Sequence, residues 1–184
     1  VPFAKWTCYD AGLKTAFIVR WPGRVKAGSR NRALTQYVDV LPTLLDAAGA
    51  DWGGISTGRP DAHGNRGFDG ASFLPVLLGK SATHGEYVYG VHTTRGIING
   101  SPNYPIRSVR SARYKYIRNL NSDTAFSCVL TRGEGLLQTW ARVDPAAARR
   151  AAYYVHRPAE ELYEVEADPY ELVNLAGESR LKDV

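Results

Sequence analysis

The sequence predicts an α/β fold laid out in two parts, and three stretches carry that reading. Residues 16–21 read Ala-Phe-Ile-Val-Arg-Trp, an apolar run of β-branched and aromatic residues halted by Pro22-Gly23, which is the composition of a short buried strand. Residues 39–49 put Leu41, Leu44, Leu45 and Ala48 on one helical face, with Asp39 as the cap, Pro42 in the first turn and Gly49 as the stop. Residues 106–110 and 113–118 read as two strands joined near Ser111-Ala112. A strand and covering helix followed by antiparallel strands predict an α/β chain.

Length and composition fit that architecture. The chain has 184 residues, 44% of them hydrophobic and 22% charged, an ordinary balance for a folded globular chain and the wrong one for disorder. No run approaches the ~18 apolar residues of a membrane span, and no signal peptide is visible. The net charge of +5 suits an anionic partner, whether nucleic acid, sulfated sugar or acidic lipid, and does not choose among them. The two cysteines, Cys8 and Cys128, have no metal-ligand spacing. They could pair in an oxidising compartment or lie as buried thiols.

The elements follow in order. Residues 1–13 read as a loop holding Lys5, the pair Tyr9-Asp10 and Gly12. A buried strand directly after it needs neighbours on both sides, so the chain is expected to start inside a larger sheet. Asp69-Gly70 is a turn rather than part of a metal site, since no second ligand stands at a useful spacing, and Gly79 closes a helical turn begun near Ser72. Residues 86–91 form an aromatic strand that runs into His92-Thr93-Thr94-Arg95, a polar cationic loop suited to an anionic ligand. The five cations of residues 107–118, interleaved with tyrosines, allow a nucleic-acid surface or a solvated basic face. Residues 136–143 and 145–155 are helical, the second opened by Asp144-Pro145. Arg149, Arg150, His156 and Arg157 form a basic cluster expected at the surface. Residues 161–165 are a strand, and 168–176 a turn with a short helix.

Five blocks in this order resemble type I sulfatases: Lys5 to Gly23, Val38 to Gly49, Asp69 to Gly79, Tyr104 to Asn121 and Glu161 to Ala176. The fourth is similar to the C-terminal hairpin of the heparan N-sulfatase branch. The resemblance implies the tail of an alkaline-phosphatase-like catalytic domain over 1–79 followed by the C-terminal subdomain over 86–184, a mainly antiparallel sheet with a packed helix. It implies hydrolysis of sulfate esters or N-sulfate on a sulfated sugar by a formylglycine made from Cys in Cys-x-Pro-Ser-Arg, beside a bound calcium. Cys8 is followed by Tyr9-Asp10-Ala11 and Cys128 by Val129-Leu130-Thr131, so neither fits that motif. The calcium-binding aspartates would lie upstream of Val1, so the chain alone is expected to be inactive and to hold no metal. Lys5 carries over as the sulfate contact, and His92, Thr93 and Arg95 are candidates for substrate binding. The implied partners are the sulfated carbohydrate and the missing N-terminal catalytic part, with possible self-association, and neither nucleic acid nor membrane. The implied compartment is secreted, periplasmic or lysosome-like. The competing readings are a stand-alone sulfated-glycan-binding module, a nucleic-acid binder and a related metal-dependent phosphohydrolase.

Overall fold

The structure, a computed structural model, describes residues 6–58, 60, 64, 66–93, 100–129, 131 and 136–184. They fall into two compact units, Ala16–Val88 and a discontinuous one made of Val1–Thr15 with Tyr89–Val184.

In the discontinuous unit, strands β1 (Val88–His92, in this unit from Tyr89), β2 (Ile106–Arg110), β3 (Tyr114–Asn119) and β4 (Glu160–Glu164) form a sheet in that order. β2–β3 and β3–β4 are antiparallel, with Ser108 opposite Ile117 and Ile117 opposite Glu161. Period-2 alternation then fixes the two faces. Ile106, Ser108, Lys115, Ile117, Asn119, Glu161 and Tyr163 are buried, whereas Arg107, Arg118 and Glu160 are exposed. The inner face packs on a core that includes Cys8, Tyr9, Tyr104, Phe126, Cys128, Leu137 and Tyr154. Its rings meet edge to face, Tyr9 with Tyr154 at 5.9 Å and Tyr104 with Phe126 at 5.4 Å. Helix α5 (Pro145–Val155) starts as its sequence predicts: Asp144 accepts from the Ala147 amide at 2.8 Å with Pro145 in the first turn.

In the unit Ala16–Val88, a 3₁₀ turn (Tyr37–Asp39) leads into helix α2 (Val40–Ala47). Asp39 holds the expected N-cap position of α2 but makes no side-chain capping bond to it. Its carboxylate accepts instead from the amides of Gln36 and Ala71, tying the 3₁₀ turn to the segment before helix α3 (Leu74–Leu77). Both helices end where glycine predicts. Gly49 at φ 77° and Gly79 at φ 70° take the left-handed conformation, and the following amides reach back to Leu45 and Pro75.

Four local expectations differ from the structure. Residues 16–21 form no strand: Phe17 is 50% and Ile18 89% exposed. Their strand composition has no ladder partner among the described residues, and propensity does not hold a lone strand. The apolar face of α2 is turned outward, with Leu41 and Leu44 exposed and Pro42 and Thr43 buried. Residues 10–13, read as loop, form the helical turn α1 (Asp10–Leu13). Residues 168–176 form a turn without a helix, because the Asp168 carboxylate takes the amides of Leu172 and Val173.

Candidate functional site

The segment 6–13 is fastened to the inner face of the sheet at three points. Tyr9 Oη donates to Glu161 Oε2 at 2.7 Å. The Asp10 amide donates to Glu171 Oε2 at 2.7 Å. Lys115 Nζ lies 2.8 Å from Asp10 Oδ1 and 3.0 Å from Glu171 Oε1. Arg110 Nε stands 3.3 Å from Asp10 Oδ2, so two cations face two carboxylates. Burial opposes ionisation of Asp10, but Lys115 and Arg110 overcome it and hold the carboxyl below its usual value. Burial pushes the Glu171 carboxyl up, against the pull of Lys115. Glu171 reaches this position from a left-handed backbone at φ 53°, a cost that only a fixed contact sustains in a non-glycine residue.

Glu161 is the second anchor. Beside Tyr9, it accepts from Asn119 Nδ2 at 2.7 Å, from Tyr153 Oη at 3.2 Å and from Tyr163 Oη. Four donors on one buried carboxylate satisfy a charge that the core would otherwise reject.

The end of β1 meets this segment at Gly90. A Cβ there would lie 2.4 Å from Ser108 Oγ, 2.5 Å from Leu13 Cδ1 and 3.6 Å from Cys8 Sγ. The close approach brings the Cys8 region against the strand that carries His92. His92 turns inward, its ring edge-on to Phe126 at 6.2 Å and its Nε2 buried without a partner among the described residues. Burial, and then the charge of Arg157, push its pKa below the ordinary value. Thr93 is exposed at the strand end. Lys5 and Arg95, the other two candidates, lie outside the described residues.

Arg157 is the main correction among the cations. Expected at the surface, it is 3% exposed, with its guanidinium carbon 4.0 Å from the centre of the Phe126 ring and 5.3 Å from that of Tyr9. Its Nε donates to the Tyr154 carbonyl at 3.1 Å. The hairpin cations are also committed, since Arg113 pairs with Glu164 and Arg118 with Glu160, while Arg110 and Lys115 point inward. The hairpin's solvated face therefore carries Arg107, Arg113 and Arg118, the last two paired with glutamates, and not all five cations. The sequence reading missed Lys115, Glu161 and Glu171 as well. The available signal was the sheet period: Glu161 shares a face with Tyr163, and Lys115 with Ile117.

Chemically, these residues offer cations and hydrogen-bond donors, with no positioned nucleophile among those described. Cys8 and Cys128 are unpaired and buried, and burial pushes the Cys8 thiol up despite its bond to Ser108, which leaves it unreactive. Nor do three His, Cys, Asp or Glu side chains gather as a metal-holding group among the described residues. These residues do not fit a calcium ion.

A sheet strapped to its own distant N-terminal segment by buried ion pairs is the frame on which these cations are mounted, and comparison with known proteins assigns the frame. The family described as N-sulphoglucosamine sulphohydrolase, C-terminal, matches residues 2–129. The chain belongs to this sulfatase family. It is 39% identical over 180 residues to an ulvan-active sulfatase of Formosa agariphila, covering 98% of this chain and 32% of that protein. It is 28% identical over 183 residues to a second ulvan-active sulfatase of the same organism, covering 96% and 28%. Its fold matches a protein solved in complex with its substrate D-glucosamine-2-N,6-O-disulfate, with a TM-score of 0.55 and 22% identity over 90% of this chain and 24% of that one. The chain thus spans about a third of the length of the curated relatives it matches.

Proposed function

We propose that the chain is the C-terminal part of a sulfatase that hydrolyses sulfate esters or N-sulfate groups of a sulfated, glycosaminoglycan-like sugar. The observation that carries this reading is the match to sulfatases along nearly the whole chain, 98% of it at 39% identity. In this reading Lys5 pairs with a sulfate oxygen as a compact point charge, and the strap through Tyr9 and Asp10 fixes the segment behind it. Thr93 and Arg95 contact the sugar, while His92, with its ring turned in against Phe126, braces the strand end beside Thr93.

The formylglycine and the calcium ligands belong to the remainder of the parent protein, so the chain by itself turns nothing over. That remainder is the partner of the unit Ala16–Val88. The unit exposes Phe17, Ile18, Tyr37, Leu41 and Leu44, an apolar surface that a larger catalytic domain would cover. The parent works in a secreted, periplasmic or lysosome-like compartment. Relatives active on ulvan, and a fold match to a protein that takes an N- and O-sulfated glucosamine, support a sulfated saccharide as substrate.

The test incubates the full-length parent with ulvan oligosaccharides and with N-sulfated glucosamine, and measures free sulfate by ion chromatography with and without a calcium chelator. Chelator-sensitive release from one of them, and none from the 184-residue chain, is expected. Release by the chain alone, or none by the parent from either substrate, would refute the reading.

A further inference from the structure

We propose that the cleft between α4 (Leu136–Ala141), α5 and Leu172 is a carbohydrate site that holds a sulfated saccharide without contacts from His92 or Thr93. The cavity measures about 610 Å³, within the range of about 300–1,000 Å³ typical of small-ligand sites. It is lined by Trp140, Asp144, Ala147, Arg150, Tyr154 and Leu172, and neither His92 nor Thr93 is among the described residues that line it.

Three groups there match three parts of one ligand. Arg150 makes no ion pair among the described residues; its recorded contact is a cation–π approach to Tyr153 at 5.6 Å. That sets it apart from Arg110, Arg113 and Arg118, each of which faces a carboxylate. A guanidinium at the wall of a cavity, with its fork uncommitted, suits the oxygens of a sulfate group. Asp144 spends Oδ1 on the Ala147 amide and keeps Oδ2 as an acceptor for a sugar hydroxyl. Trp140, Ala147 and Leu172 supply the apolar surface on which the C–H face of a pyranose packs. The local charge agrees: α5 carries Arg149 and Arg150 and no acidic residue. Apolar wall, acceptor and cation together recognise a sugar that bears an anionic group better than they recognise a bare anion or a neutral sugar.

The ligand class rests partly on the sulfatase reading, but the site can be tested without turnover. The 184-residue chain is titrated calorimetrically with a heparin-derived tetrasaccharide and with its desulfated counterpart. Saturable binding of the sulfated form is expected, weaker by about tenfold or more without sulfate. Arg150→Gln should reproduce that loss, whereas Arg149→Gln, exposed and outside the lining, should change affinity by less than about twofold. Trp140 also packs on the core, so Trp140→Phe serves beside Trp140→Ala; the alanine variant should lose more affinity. No saturable binding, or equal losses in Arg149→Gln and Arg150→Gln, would overturn the proposal and leave only diffuse attraction to a basic surface. Either failure leaves the sulfate-release test untouched.

Discussion

Lys115 Nζ sits 2.8 Å from Asp10 Oδ1 with its side chain only 1% exposed, an ion pair closed between residues 105 positions apart. Glu171 shares the same ammonium. Replacing Lys115 by methionine fills the volume but leaves two carboxylates without their central cation. The expected cost is about 3–5 kcal/mol, the usual effect of removing one partner from a buried ion pair. Urea denaturation of the variant against the parent chain measures it; a loss below about 1 kcal/mol would mean that water already screens the cluster.

Two residues give stability a pH dependence in separate windows. The Asp10 carboxyl is held below its usual 3.8, so the folded chain takes up its proton later than the unfolded one. The stability it contributes is complete above the unfolded value and is lost as pH falls through the lower folded value. His92 is pushed below its usual 6.5, so the unfolded chain protonates first and stability declines as pH drops from that value toward the folded one. Asp10→Asn should flatten the slope below about pH 4 and His92→Phe the slope below about pH 6.5, read from denaturation midpoints taken across the range.

Gly90 is tightly covered by side chains. A methyl group would meet Ser108 Oγ at 2.4 Å and Leu13 Cδ1 at 2.5 Å, so Gly90→Ala requires both side chains to turn away. Overpacking of this kind costs about 1–3 kcal/mol. Pairing the change with Ser108→Ala removes one of the two clashes and should recover part of the loss in thermal unfolding.

In the full-length parent, Lys5→Ala should lower sulfate release by about 10²-fold or more, as loss of a contact to charge developing in the transition state does. The kinetic measurement is kcat/KM for the preferred sulfated saccharide. An unchanged value removes Lys5 from the site.

The elements legible in the sequence were those whose signals are local. The hairpin of β2 and β3, the Asp144-Pro145 start of α5 and the Gly49 and Gly79 stops all depend on a few adjacent residues, and the structure has each of them. What stayed hidden depends on distant partners. The run 16–21 has the composition of a strand but no neighbour among the described residues, and Leu41 and Leu44 have helical spacing but face outward. Arg157 looked like a surface cation because nothing nearby in sequence announces Phe126 and Tyr9 as its walls. At the candidate site the exposed Thr93 could be foreseen from its loop, but the Lys115–Asp10–Glu171 cluster joins residues that no spacing rule connects.

The strap also sets an order of events during synthesis. Tyr9 and Asp10 leave the ribosome well before their partners Glu161 and Glu171, which follow 152 and 161 positions later. Contacts of such long range form slowly, because the loop they close must be ordered first. Until the last strand and the turn after it arrive, Tyr9 waits unburied and Lys115 carries its charge without its second carboxylate. A nascent chain of this protein should therefore need protection for segment 6–13 until Glu171 has emerged, and stalling before Glu171 should leave that segment open to protease.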